Sequence, residues 1–194
     1  SINDAIKIEE RERNISWEQL RMILSNIQYE FNKPLCMKNI FGAYHMQKFI
    51  KEVPLIFWIY IQRDPFDVGI SILNARKKFY GNPNLWWSTA PPEYKKLYGL
   101  EYIEQIAGQV YYLKKFYENQ INQINPKLVY KANYESICRE PEKNVKAIRE
   151  KIHKAYNFNL DLREVPKNLT YREHKVDSEE KEKLYNALKQ YKLV

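Results

Sequence analysis

Apolar residues recur at helical spacing between Ser16 and Phe31, at Leu20, Ile23, Leu24, Ile27 and Phe31, behind a Ser16/Gln19 pair in capping-box spacing. That pattern predicts an amphipathic helix, ended by Asn32-Lys33-Pro34. The short apolar run Leu35-Cys36-Met37 reads as a buried strand leading into Lys38-Asn39, and a shorter helix is expected over Ala43 to Glu52. Beyond Pro54, the stretch Leu55 to Ile61 is continuously apolar, β-branched or aromatic, as in a strand of a parallel sheet buried on both faces.

Asp64-Pro65-Phe66-Asp67 then supplies an N-cap, a first-turn proline and an acidic first turn for a helix running to about Tyr80 and stopped by Gly81-Asn82-Pro83. Asn84 to Gly99, with Trp86, Trp87, Pro91, Pro92, Tyr94 and Tyr98, reads as a structured aromatic loop. A long helix follows, marked by Ile103, Ile106, Val110, Leu113 and Phe116 or Tyr117. Leu128-Val129-Tyr130 is the next strand candidate, Pro141 opens a helix carrying Val145, Ile148, Ile152 and Tyr156, and Asp177 with Glu180 caps a last helix through Leu184 and Leu188. Strands separated by helices mean an α/β fold with a parallel sheet flanked by helices, in one domain over residues 1–194.

Composition narrows the partners. At 194 residues, 44% apolar and with only five glycines, the chain can bury a core and has no signature of disorder, and its longest dense apolar run is too short to span a bilayer. Thirty-two Lys and Arg against 24 Asp and Glu leave a net charge of +8, which favours an anionic partner. A basic nucleic-acid-binding module is disfavoured because the cations are spread over most of the chain, with no basic stripe on one helix. Cys36 and Cys138 have no Cys or His at ligand spacing, so both read as small buried apolar residues and no metal is expected. No targeting segment is legible, and the compartment stays open, with the cytoplasm slightly favoured.

The corner from Arg63 to Ser71 concentrates the chemistry. Ligands of open α/β sheets collect at the carboxyl ends of strands, where a helix N-terminus presents N–H groups and a positive dipole end to a phosphate. Arg63 stands at that end, and Ser71 follows eight residues later on the same helix. The alternative is a structural pairing of Arg63 with Asp64 or Asp67.

The run from Pro54 through Arg63-Asp64-Pro65-Phe66-Asp67-Val68 to Ser71 resembles the 3′-phosphate motif of the sulfotransferases that use 3′-phosphoadenylyl sulfate. Upstream, Lys33 to Asn39 is similar to that family's strand ending in Lys; downstream, Val129 to Glu135 and Arg139-Glu140-Pro141 resemble its Tyr-Glu segment and following helix start. The resemblance covers about Lys33 to Phe158. It implies a P-loop-like sulfotransferase fold and transfer of a sulfuryl group to a hydroxyl or amine on a small-molecule or glycan acceptor, without metal. It also implies that Arg63 and Ser71 hold the 3′-phosphate, Tyr134 lies near the adenine and Lys38 faces the sulfuryl group. Trp86 and Trp87 are candidate acceptor-stacking residues, with core packing as the alternative.

The chain also departs from that pattern. None of its glycines, at 42, 69, 81, 99 and 108, makes the phosphosulfate-binding loop, so the domain is expected to lack its N-terminal strand and loop and to be inactive and poorly stable without them. Ile40 occupies a position where many members carry a His, which leaves the base in an upstream portion, among Glu9, Glu10, Glu12 and Glu30, or at His45. The family's later Arg-Lys-Gly segment is absent; Arg172 and Lys175 are candidates for its electrostatic role, with a solvated charge run as the favoured alternative. A nucleotide-dependent phosphotransferase is the rival enzyme; it would require a Walker-type loop and Mg²⁺.

Overall fold

The computed structural model describes residues 7–39, 41–161, 164–171 and 177–194; Ile40, Arg172 and Lys175 lie outside them. The fold is mainly helical, with one small parallel sheet. Helices α1 (Ile8–Asn14) and α2 (Trp17–Phe31) lead to a 3₁₀ turn (Phe41–His45), α3 (Met46–Glu52) and strand β1 (Trp58–Gln62). The connection to the second strand runs through α4 (Pro65–Tyr80), α5 (Tyr94–Leu97), α6 (Tyr102–Asn122) and a 3₁₀ turn (Pro126–Leu128). Strand β2 (Val129–Asn133) is followed by α7 (Tyr134–Arg139), α8 (Pro141–Tyr156) and α9 (Ser178–Gln190).

The expected helix ends are built as their sequences dictate. The Asp64 carboxylate accepts the N–H groups of Phe66 and Asp67 at 2.8 and 3.1 Å, with Pro65 at the first helical position, and Gly81 closes α4 in the left-handed region at φ 63°. Asp177 caps α9 by accepting from the Glu179 N–H at 2.9 Å. The main core joins three helices: Ile70 and Leu73 of α4, Ile106 and Val110 of α6, and Leu184 and Leu188 of α9. A second cluster, with Met46, Ile121, Ile124 and Val129, packs against Trp58 and Tyr60 of β1.

Parallel pairing of β1 with β2 runs from Trp58 opposite Val129 to Gln62 opposite Asn133. Several expectations are corrected here. Leu35-Cys36-Met37 is not a strand: it lies exposed in a segment without regular structure, Cys36 included, because a short apolar run forms a strand only where a neighbouring strand takes its N–H and C=O groups. Nor is Leu55 to Ile61 one strand buried on both faces. Pro54 and Leu55 form a turn, with Leu55 at φ 59° and 74% exposed, and along β1 Ile59 and Ile61 remain 42% and 51% exposed. A sheet of two strands among the described residues gives β1 a half-buried face at Trp58, Tyr60 and Gln62 and an open one opposite. No helix among the described residues is long and apolar enough to cross a membrane.

Candidate functional site

The register of the sheet sets the site. Because Gln62 lies opposite Asn133, the next residue of each strand, Arg63 and Tyr134, emerge side by side at the carboxyl end of the sheet. The Arg63 guanidinium carbon sits 4.7 Å from the centroid of the Tyr134 ring and 5.8 Å from that of Tyr171, in cation–π range of both. A cleft of about 570 Å³ opens there, lined by Arg63, Asp64 and Asp67 from the β1–α4 corner and by Asn133 and Glu135 from the β2–α7 corner. Lys114, from the middle of α6, and Tyr171 complete its wall.

Arg63 and Asp67 are an i, i+4 pair, with the guanidinium 3.4 Å from the Asp67 carboxylate, so the alternative pairing with Asp67 read from the sequence is present. The Tyr171 hydroxyl donates to the same Asp67 oxygen, and that bond raises the phenol above its ordinary pKa, which keeps it a donor. Asp67 therefore has a second partner besides Arg63. The first amides of α4 are already taken: Phe66 and Asp67 by the Asp64 side chain, and Val68 by the Asp64 carbonyl at 3.0 Å. An anion at this corner meets Arg63 and the field of the helix end, not those N–H groups. One further acceptor is present: the Glu135 Oε1 atom is buried without a hydrogen-bond partner.

Ser71, half-buried on α4, continues the face that carries Arg63 and Asp67 at intervals of four residues, but it does not line the cleft. Lys38 is exposed in the segment before the first 3₁₀ turn and His45 ends that turn; neither reaches the cleft. His45 Nδ1 lies 3.1 Å from a Glu12 carboxylate oxygen, and its ring meets Trp17 edge-on. Both tryptophans belong to the other end of α4, about 20 Å from the cleft at 1.5 Å per residue. Trp87 stacks on Phe79 with centroids 4.4 Å apart, whereas Trp86 packs edge-on against Tyr94 and lies under the buried Arg76 guanidinium. The packing alternative thus describes Trp86 in this structure.

Two residues of the cleft, Lys114 and Tyr171, carried no signal in the sequence. Lys114 is one lysine among many on a long helix and Tyr171 sits in a segment without periodicity, whereas Glu135 belongs to the segment that carried the resemblance, without a role assigned to it.

The chain matches no family model, no curated protein and no solved structure. What can be said of the cleft comes from its own chemistry. Two cations face three carboxylates, an aromatic ring covers the guanidinium, and an acceptor oxygen is unsatisfied. Among the described residues, no cluster of three or more His, Cys, Asp or Glu side chains is placed to hold a metal ion.

Proposed function

We propose that the cleft binds the nucleotide part of 3′-phosphoadenylyl sulfate and that the protein is a sulfotransferase with a P-loop-like fold. The observation that carries this reading is the convergence of Arg63 and Tyr134, 71 positions apart in the chain, at 4.7 Å. The motif resemblance assigns both to the nucleotide, one to a phosphate and one to the adenine. An anion drawn to Arg63 displaces the 3.4 Å contact with Asp67, which keeps its hydrogen bond from Tyr171. Lys114 adds a second positive charge to the wall, and Glu135 Oε1 offers an acceptor to a ribose hydroxyl or an exocyclic amine.

In sulfuryl transfer an acceptor oxygen or nitrogen attacks sulfur in line, the bond from sulfur to the phosphate oxygen breaks, and the acceptor's proton leaves to a base. Charge grows on the departing phosphate, so cations beside it lower the barrier. Here the residues that bind nucleotide are Arg63 and Lys114, with Tyr134 stacked on the guanidinium. The roles read for Lys38, Ser71 and His45 need a donor or acceptor extending beyond the cleft, since none of the three lines it.

Calorimetry tests the reading. Adenosine 3′,5′-bisphosphate should bind more tightly than adenosine 5′-monophosphate, and Arg63→Ala should cost about 2 kcal/mol, roughly 30-fold in affinity, as for loss of a charge-assisted pair. Equal affinities of parent and variant for the bisphosphate would remove the basis for a nucleotide site at Arg63.

A further inference from the structure

A second cavity, of about 630 Å³, lies on the flank of β2 away from its carboxyl end, between that strand, the end of α6 and α8. Its floor is apolar. Ile121, Ile124 and Val129 belong to the second core cluster and are nearly fully buried. The walls are tied to each other: the Tyr130 hydroxyl of β2 donates to Asn144 Oδ1 of α8 at 2.9 Å, and the Asn144 amide donates to the carbonyls of Ser136 and Glu140 at 3.1 and 2.9 Å.

The rim is basic. Lys131 reaches it from β2, and Lys151 and Lys154 from α8, whereas Glu150 is the one carboxylate in the lining. Lys131 donates to the neutral amide oxygen of Asn122 at 3.0 Å, and none of the three lysines is in an ion pair among the described residues. Lys151 and Lys154 stand three residues apart on one helix, a spacing at which like charges repel. An anion between the two walls relieves that repulsion, and the apolar floor beneath it suits a hydrophobic body.

We infer that this cavity is a binding site for a small organic anion: an aryl or short alkyl group bearing a sulfonate, sulfate, phosphate or carboxylate. The apolar part lies on Ile121, Ile124 and Val129, and the charged group meets Lys131, Lys151 and Lys154. The site is separate from the Arg63 cleft and does not depend on the sulfotransferase reading.

Naphthalene-2-sulfonate and its uncharged analogue naphthalene-2-sulfonamide are suitable probes by calorimetry on the whole chain. The sulfonate should bind roughly tenfold or more tightly than the sulfonamide, and Lys151→Glu with Lys154→Glu should remove that advantage while leaving sulfonamide affinity in place. Both substitutions are at the rim, and an unchanged melting temperature checks the fold. Arg63→Ala, which alters the other site, should leave the sulfonate's affinity unchanged. Three results would overturn the inference: no measurable binding of the sulfonate, equal affinity for the doubly substituted chain, or a loss of affinity in Arg63→Ala as large as in the doubly substituted chain.

Discussion

The cleft at the strand ends and the cavity beside β2 are of similar size, about 570 and 630 Å³, yet opposite in charge. The cleft sets Arg63 and Lys114 against Asp64, Asp67 and Glu135; the cavity sets three lysines against Glu150. The region singled out from sequence for an anion is the more acidic of the two. A motif locates a cation at a strand end, but neighbouring carboxylates decide what that cation is free to hold. In the cleft an anion must compete with Asp67 for Arg63, and only an aromatic base and a donor for Glu135 add enough further contact to favour a nucleotide over a bare phosphate. In the cavity no carboxylate pairs with the lysines among the described residues, and Lys131 is held only by the neutral Asn122 amide, so charge and an apolar body suffice.

Their walls differ as well. Cavity residue Ile121 is 2% exposed within the second core cluster, so Ile121→Ala should destabilise the protein by about 3 kcal/mol, measured by denaturant unfolding. By contrast Gln62, which lines the cleft and bonds Glu118 at 3.3 Å, should cost under about 1 kcal/mol when changed to Ala. Similar losses at the two positions would mean that the cleft is as much a part of the core as the cavity, and the contrast between a core wall and a surface one would go.

The electrostatic half of the comparison is tested at Asp67. Asp67→Asn removes the carboxylate that holds Arg63 while keeping an acceptor for Tyr171. Affinity for adenosine 3′,5′-bisphosphate should rise by about 1 kcal/mol, roughly fivefold. A fall of that size would instead make Asp67 the residue that orients Arg63, and the carboxylates of the cleft would be supports, not competitors.

The helices were legible wherever caps and periodicity agreed: Asp64-Pro65 before α4, Pro141 before α8 and Asp177 before α9 stand where their side-chain chemistry requires. Helix α1 was missed because Ile8–Asn14 is almost entirely charged or polar and has no apolar stripe. Strand extents were the weakest part of the reading, since a strand depends on a partner that local sequence does not contain; β1 begins three residues later than expected, and Leu35 to Met37 finds no neighbour. At the site, Arg63 could be read because it follows a strand, whereas Tyr134 was indicated only by the resemblance of Val129 to Glu135 to a Tyr-Glu segment. Lys114 and Tyr171 could not, because tertiary packing alone brings them to the cleft.

Lys114 also supplies the smallest effect in the comparison. Its side chain is 42% exposed, and its ammonium is 3.8 Å from a carboxylate oxygen of Glu118, which in turn accepts from Gln62. A charge so placed is screened by solvent and shared with its neighbour, so it adds little to any one contact. Lys114→Gln should weaken adenosine 3′,5′-bisphosphate by only about 0.5 kcal/mol at low ionic strength, roughly twofold, with the difference vanishing as salt is raised. The titration in added sodium chloride distinguishes screening from direct contact, because Arg63, shielded by the rings of Tyr134 and Tyr171, should keep most of its contribution. If Lys114→Gln instead costs as much as Arg63→Ala and the loss persists in salt, the principal phosphate contact belongs to α6, and the anion sits deeper in the cleft than the β1–α4 corner.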